Sequence, residues 1–169
     1  MTTRSHRMAI VAFLASVATV AGCASVRPAA IIEGFNREAT TTSVRLALEQ
    51  FHEALRQRNT EKVLNFFVAD TGFRVYDGDG GWLTLDAMRL QDAPAFRRLR
   101  SVELSIDSLY ITPLDPSAAV VADNLREVYT DSGGHVSRIR VAQTMVWTRR
   151  ADGWKIAHIH SSERPDTLK

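Results

Sequence analysis

The chain has 169 residues, of which 45% are hydrophobic and 24% are charged, and it contains one cysteine. This length and composition are typical of a globular domain with its own core, and they exclude a collagenous, disordered or disulfide-rich chain. The formal net charge of +2 comes from Arg4 and Arg7, because residues 1–22 contain no Asp or Glu. Without these two arginines, the numbers of basic and acidic residues are equal. This balance gives no reason to expect nucleic-acid binding, which usually requires a clustered basic face.

The first 22 residues have the pattern of a secretory signal. Arg4 and Arg7 precede an unbroken run of apolar and small residues, "MAIVAFLASVATVA", at residues 8–21. A helix of that length is too short to span a bilayer, which takes roughly 20 apolar residues, but it suits the apolar part of a signal peptide. We therefore exclude residues 1–22 from the predicted fold.

The segment "VAGC", residues 20–23, resembles the lipobox of bacterial lipoproteins, with Val20 where leucine is commoner. The resemblance implies that Cys23 becomes the lipidated N-terminus and that the lipid bilayer is a partner of the protein. Ala24 follows Cys23, where an aspartate would retain the protein in the inner membrane. We therefore expect a bacterial envelope protein on the periplasmic face of the outer membrane. The alternative is an ordinary secretory signal followed by an incidental cysteine.

The remaining chain divides by pattern into three parts. Residues 23–42 lack a sustained period and are predicted to be a lipidated tether, residues 43–162 the folded domain, and residues 163–169 a polar tail. A single cysteine used for lipid leaves no disulfide, so the stability of the domain must come from its core.

The domain begins with two helical patterns. Ser43 is a candidate cap for the first helix, and Thr60 for the second. The first pattern has the apolar spacing of an amphipathic helix at Val44, Ala47, Leu48, Phe51 and Leu55. A short strand and a glycine-rich turn follow at residues 73–82, and residues 84–99 are predicted to be helical in part.

Residues 101–162 have the pattern of four strands, with turns at "PLDP", "DSGG" and "ADG". Such tight turns join antiparallel neighbours. The apolar parity changes between Ile106 and Leu109, which predicts a bulge near Ser108. The resulting order, α-α-β-α-β-β-β-β, predicts an α+β fold.

The segment "TMVWTRRADGWKIAHIHSS", residues 144–162, resembles the last hairpin of the SnoaL-like, nuclear-transport-factor-2-like superfamily. It is especially similar to the association domain of calcium/calmodulin-dependent protein kinase II. The upstream "DSGG" hairpin and the leading helices agree with the resemblance, which covers residues 43–162. It implies a cone in which N-terminal helices pack on a strongly curved antiparallel β-sheet and enclose an apolar pocket. The superfamily contains isomerases, cyclases, dehydratases, carriers and assembly domains, so the resemblance alone does not decide the function.

The resemblance also implies which side chains face the pocket. In the kinase association domain, the pocket-facing positions of these strands carry arginines, and the matching positions here are Leu125, Met145 and Ser161. This departure argues against an anionic ligand bound in the same way. Strand parity places Glu127 inward as well. The predicted pocket-lining residues are Tyr76, Trp82, Asp123, Leu125, Tyr129, Gln143, Met145, Trp147 and Ser161.

Asp123 is the candidate general base of an enzyme in this pocket. Apolar walls would raise the pKa of its carboxyl group by desolvation, and Tyr129 or His158 would assist as further catalytic residues. Such a site would carry out an isomerisation, dehydration or cyclisation. The alternative is that Asp123 lies at an exposed strand end and titrates normally.

His158 and His160 are separated by one residue, and strict alternation places them on the strand face that carries Trp154 and Ile156. Two imidazoles about 7 Å apart could share a metal only with a third ligand from elsewhere. We therefore predict no metal and no cofactor, with both histidines on the outer or subunit-facing side of the sheet. An apolar outer face with Trp154 and Ile156 predicts a homodimer across the sheet.

Three functions remain open at this point. The first is a non-enzymatic envelope lipoprotein that binds a small, largely apolar molecule, dimerises, or does both. The second is the acid–base enzyme that uses Asp123. The third is a structural envelope component whose cavity is filled by side chains.

Overall fold

A computed structural model describes residues 34–70, 73–76 and 82–167, without the side chains of Tyr76, Trp82 and Asp92. Helix α1 is Arg37–Arg56 and helix α2 is Thr60–Leu64. The fold continues with strand β1, Arg74–Tyr76, strand β2, Trp82–Leu83, and helix α3, Leu85–Arg97. Four long strands follow, namely β3, Leu99–Asp115, β4, Ala118–Asp131, β5, Val136–Arg150, and β6, Gly153–Pro165.

Helix α1 begins earlier than the apolar spacing predicts. Its cap is Asn36, whose side-chain oxygen accepts a hydrogen bond of 2.9 Å from the backbone nitrogen of Ala39. The prediction of Ser43 as the cap is therefore wrong. Ser43 lies inside the helix, where its hydroxyl donates to the carbonyl of Thr40 and accepts a bond of 3.0 Å from the indole nitrogen of Trp154.

The six described strands form a mixed sheet in the order β2-β1-β6-β5-β4-β3. Strands β3 to β6 are antiparallel neighbours, as the tight turns predict. Strand β1 is parallel to β6, so the prediction of a wholly antiparallel sheet is wrong at this edge. Parallel pairing requires a long connection, and the whole chain between β1 and β6 supplies it.

Register shifts between strands accompany the curvature of the sheet. The shift between Ile106 and Ser108 confirms the predicted bulge in β3. Another shift lies in the last hairpin, where Val146 is opposite His158 but Trp147 is opposite Ile156. Strand β6 thus contains an extra residue at this point, and its side chains exchange faces there. The result is the predicted cone-shaped α+β fold, with helices on a curved sheet.

The bulge in β6 corrects the predicted faces of this strand. We call the sheet face that packs on α1 and α2 the inner face and the opposite one the outer face. Trp154 and Ile156 are buried in the main core of the inner face. His158 and His160 lie on the outer face, because they follow the bulge and pair with Val146 and Thr144. The prediction that the histidines share a face with Trp154 and Ile156 is wrong.

The main core joins α1 to the inner face of the sheet. Val44, Leu48 and Phe51 of the predicted helical stripe are buried, as are Trp147 and Ile156 on the strands. The rings of Phe51 and Trp147 meet edge to face, with centroids 6.3 Å apart. Among the residues that the structure describes, no helix is long and apolar enough to cross a membrane.

Candidate functional site

A cavity of about 190 Å³ lies between the helices and the inner face of the sheet. The apolar wall of this cavity comes mainly from the three helices, and it consists of Phe51, Leu55, Val63, Phe67, Met88 and Phe96. The polar floor comes from strands β4 to β6, and it consists of Glu127, Tyr129, Gln143, Ser161 and Glu163. A cavity with apolar walls and a few polar groups on one side is the usual form of a small-molecule site.

The strand register brings the polar floor together. Gln143 is opposite Ser161 on one side and opposite Asp123 on the other. Glu127 and Tyr129 are two residues apart on β4, so their side chains lie on the same face. The polar side chains of the floor therefore lie on the inner face of three neighbouring strands, β4, β5 and β6. We call a set of residues directly opposite one another across the strands a row.

Glu127 and Tyr129 form a hydrogen-bonded pair in which the phenol donates to the carboxylate. Burial raises the pKa of Glu127, the Tyr129 hydrogen bond opposes that rise, and the negative charge of Glu163 adds to it. Burial and the neighbouring charge of Glu127 raise the pKa of Tyr129. The phenol therefore keeps its proton at neutral pH and remains a hydrogen-bond donor.

Asp123 is a buried carboxyl group beside this floor. Its side chain is 3% exposed, and neither of its oxygens has a hydrogen-bond partner among the described residues. Burial raises its pKa to about 6, and the charge of Glu127 acts in the same direction. Gln143 faces the carboxyl group and partly offsets the rise, although no hydrogen bond of normal geometry joins the two side chains.

The structure places the predicted pocket residues in two groups. Tyr129, Gln143 and Ser161 line the cavity. Asp123, Leu125, Met145 and Trp147 are buried in adjacent rows of the inner face and are not among the described lining residues. The side chains of Tyr76 and Trp82, and the whole of Cys23, lie outside the described residues.

His158 is half-buried on the outer face, on the opposite side of the sheet from the cavity. It therefore cannot assist a reaction at the polar floor without a change of strand register. Within residues 34–70, 73–76 and 82–167, no group of three or more His, Cys, Asp or Glu side chains is arranged to hold a metal.

Sequence reasoning missed several lining residues. The prediction that Glu163 belongs to the polar tail is wrong, because β6 continues to Pro165 and its parity from Ser161 places Glu163 on the inner face. That parity was the available signal. Phe96 and Met88 come from α3, and no local pattern indicates which side of this helix meets the sheet, because the apolar residues of α3 are few and partly exposed.

Comparison with known proteins agrees with this architecture. The family model described as "SnoaL-like domain" matches residues 44–166. No curated protein matches the sequence.

Solved structures show the same fold at low sequence identity. A candidate dehydratase of the NTF2-like family from Streptomyces avermitilis is 19% identical, with a TM-score of 0.65 over 78% of this chain and 99% of that one. A candidate calcium/calmodulin-dependent protein kinase II association domain from Xanthomonas campestris is 20% identical, with a TM-score of 0.62 over 73% and 87%. The association domain of CaMKII from C. elegans is 16% identical, with a TM-score of 0.60 over 75% and 97%.

These likenesses establish the fold, and the family match covers the elements that build both the sheet and the cavity. The protein is therefore a member of the SnoaL-like domain family.

Proposed function

We propose that this protein is an envelope lipoprotein whose domain binds a small, largely apolar molecule in the inner cavity. The observation that carries the proposal is the cavity itself, about 190 Å³ in volume, with an apolar wall and a polar floor. Its volume is similar to that of an engineered cavity of roughly 150 Å³ that binds benzene. It is smaller than sites for drug-sized ligands, which start at roughly 300 Å³. The ligand is therefore about the size of a single ring.

The polar floor restricts the chemistry of that ligand further. Glu127 and Glu163 are the charged side chains among the described lining residues, and both are acidic. A carboxylate or phosphate would be repelled there. A ring with one hydroxyl or amide group suits the site better, because it can hydrogen-bond to Gln143 or Ser161 while its apolar part contacts Phe51 and Phe67.

A panel of small ring compounds tests this proposal. Phenol, benzyl alcohol and benzamide are titrated against the protein, with benzoate as the anionic counterpart, and binding is followed by chemical shifts of inner-face amides. The neutral compounds should bind and benzoate should not. Val63→Trp fills the cavity from α2 and should abolish binding.

Thr144→Leu is the matched control for this experiment. Thr144 is the neighbour of Gln143 on β5, but it is exposed on the outer face. This variant should bind the neutral compounds as the original protein does. Equal binding by the Val63→Trp variant, or no binding of any ring compound, would refute a ligand-binding cavity.

Lipid anchoring at Cys23 is a second part of the proposal, and it rests on the resemblance of residues 20–23 to a lipobox. Cys23→Ser should abolish incorporation of labelled palmitate in bacterial cells and move the protein out of the membrane fraction. Ala24→Asp should instead keep the lipidated protein with the inner membrane in a density gradient. Unchanged labelling of the Cys23→Ser variant would exclude the anchor.

We also propose that the domain forms a homodimer through the outer face of its sheet. Support comes from the likeness to two association domains. Trp154 and Ile156 are buried in the core and do not form this face. The outer face instead carries Tyr110, which is 69% exposed, beside the half-buried Val120 and Val146.

Sedimentation measurements test the dimer. Tyr110→Glu should shift the protein toward monomer, because it places a charge in the proposed interface. Leu90→Glu is the control, since Leu90 is 77% exposed on α3, away from the sheet face. A dimer that tolerates Tyr110→Glu as well as Leu90→Glu does not use this surface.

A second candidate function is acid–base catalysis by Asp123. It is favoured by the buried carboxyl group of Asp123, whose pKa of about 6 suits a general base near neutral pH. Asp123 does not itself line the cavity, but it lies directly opposite Gln143, which does. The likeness to a candidate dehydratase also supports it. Proton exchange in D₂O at the carbon next to the carbonyl of cyclohexanone tests this activity. The exchange should exceed the buffer rate and should be lost in Asp123→Asn; exchange at the buffer rate argues against catalysis.

A further inference from the structure

Three arginines on the outer face of the sheet form one row across neighbouring strands. Arg126 on β4 is directly opposite Arg140 on β5, and Arg140 is directly opposite Arg164 on β6. Neighbouring strands are about 4.8 Å apart, and like charges directly opposite each other destabilise a sheet. A row of three positive charges therefore needs a compensating negative charge.

Two aspartates compensate the row only in part. Asp107 accepts a hydrogen bond of 2.9 Å from Nε of Arg126, and Asp166 accepts one of 2.7 Å from Nε of Arg140. The terminal nitrogens of both arginines have no partner among the described residues, and Arg164 forms no ion pair there. The aspartates thus orient two guanidinium groups while leaving their terminal donors available.

A groove of about 440 Å³ lies beside this row. Arg140 and Arg164 line it together with two acidic residues, Asp107 and Glu163. Asp107 is already paired with Arg126, and Glu163 follows the inner-face parity of β6, opposite Val141. The floor of the groove is the next outer-face row of the sheet, which consists of the small or polar residues Ser108, Asn124, Ala142 and Ser162. Asn124 donates a hydrogen bond of 2.8 Å to Ser108 in this row, and the hydroxyl of Ser162 lines the groove beside them.

We propose that this groove binds a phosphate group, held between Arg140 and Arg164. The planar guanidinium group matches phosphate oxygens through paired hydrogen bonds, and an anion at this point would remove the repulsion along the row. The volume falls within the range of small-molecule sites, roughly 300–1,000 Å³, so the phosphate can carry a small organic group. Among the described lining residues of the inner cavity, the charged ones are Glu127 and Glu163 and none is basic, so the cavity is unsuited to such a ligand.

The phosphate can belong to a free phosphomonoester or to the headgroup of an anionic phospholipid. Both present the same oxygens to the arginines. They differ in charge and in the presence of acyl chains, so two probes separate the sources. Glycerol 3-phosphate represents the free monoester, and dihexanoyl phosphatidylglycerol below its micelle concentration represents the headgroup.

The experiment titrates each probe into the full chain in a neutral detergent and follows the backbone amide signals of Asn124, Ala142 and Ser162. At least one probe should shift these signals in a saturable way that weakens with added salt. Arg164→Gln should weaken the apparent Kd about tenfold, as expected for the loss of one charge-assisted contact. Arg164 forms no ion pair with the described residues, so this variant is the decisive one if Arg140→Gln proves unstable.

Arg138→Gln is the matched control. Arg138 is exposed on β5 and lies opposite Val128, so it belongs to another outer-face row. Its substitution removes one positive charge, as Arg164→Gln does. Its apparent Kd should equal that of the original protein. Saturation by glycerol 3-phosphate alone assigns the groove to a soluble ligand, and saturation by the phospholipid assigns it to the membrane.

Two results would overturn the proposal. One is the absence of saturable shifts with both probes. The other is an equal weakening in Arg138→Gln and Arg164→Gln, which would indicate diffuse charge attraction. If Arg164→Gln alters the sedimentation of the protein but not its phosphate binding, the row is a contact between copies and the phosphate site is refuted.

Discussion

Asp123 lies directly opposite Gln143 on the inner face of the sheet, yet no hydrogen bond joins the two side chains. Their row separates two apolar clusters, one around Val121 and Met145 and the other around Leu125 and Val141. A carboxylate in this position is 3% exposed and has no hydrogen-bond partner of normal geometry among the described residues. Its ionisation is therefore unfavourable, and the stability of the fold depends on pH.

Asp123→Asn should stabilise the protein at neutral pH. The pKa of Asp123 is about 6 in the folded state, compared with 3.8 for an ordinary aspartate. The folded state therefore holds this proton more tightly, and the contribution to stability is complete below about pH 4 and is lost as the pH rises through 6. At 1.36 kcal/mol per pKa unit, the difference is about 3 kcal/mol at most.

Urea unfolding at pH 4 and at pH 7 measures this effect. The free energy of unfolding of the Asp123→Asn variant should exceed that of the original protein at pH 7 and should match it near pH 4. Asp86→Asn, at an exposed position with a surface ion pair, is the control and should change little. A loss of stability at pH 7 in Asp123→Asn would show that the carboxylate has a partner in solution.

His52 should give the opposite pH dependence. Burial, followed by the nearby charge of Arg56, lowers the pKa of His52 from 6.5 to about 4, and its Nε2 atom has no partner among the described residues. The unfolded state therefore binds this proton more tightly. The contribution of neutral His52 is complete above pH 6.5 and is lost as the pH falls through 4.

His52→Gln should remove this acid sensitivity. As the pH falls from 6.5 to 4, the change in its free energy of unfolding should be more positive than that of the original protein, by on the order of 3 kcal/mol. The Asp123 and His52 effects oppose each other over the same range, so the original protein should show a flatter profile than either variant. Parallel profiles for His52→Gln and the original protein would contradict the assignment.

Tyr129→Phe should destabilise the protein by roughly 1–3 kcal/mol at neutral pH, because it leaves the buried carboxylate of Glu127 without its donor. In Glu127→Gln the same tyrosine change should cost less, and a double-mutant cycle in urea unfolding measures the coupling. Tyr110→Phe is the control at an exposed position. Additive effects of the Tyr129 and Glu127 changes would mean that the pair does not interact.

The bulge in β6 predicts unequal costs for neighbouring alanine substitutions. Ile156→Ala should lower the free energy of unfolding by roughly 2–5 kcal/mol, because the side chain is fully buried. His160→Ala, on the exposed outer face, should cost less than about 1 kcal/mol. Strict alternation would place both residues on one face, so similar costs in denaturant unfolding would show that the strand has no bulge.

Local patterns predicted much of the architecture. The apolar spacing from Val44 to Phe51 identified the buried side of α1, because helical periodicity depends only on nearby residues. The tight turns predicted the antiparallel order of β3 to β6, and the parity change near Ser108 predicted a bulge. For Tyr129, Gln143 and Ser161, alternation placed the side chains on the cavity side.

Other features depended on contacts between distant segments. The parallel pairing of β1 with β6 joins residues far apart in the chain, and no turn signals it. The bulge before His158 has a local signal, because the apolar parity changes between Ile156 and Ile159 as it does between Ile106 and Leu109, but strict alternation overlooks it.

The sequence by itself determined the family, the buried side of α1 and the order of strands β3 to β6. Each of these depends on the identity and spacing of residues that are close together in the chain. Only the tertiary structure decided that Trp154 and Ile156 enter the core and that Asp123 lacks a hydrogen bond. It also brought Arg126, Arg140 and Arg164 into one row. The physical reason is that strand register and helix packing determine these neighbours, and both are set by the whole core at once.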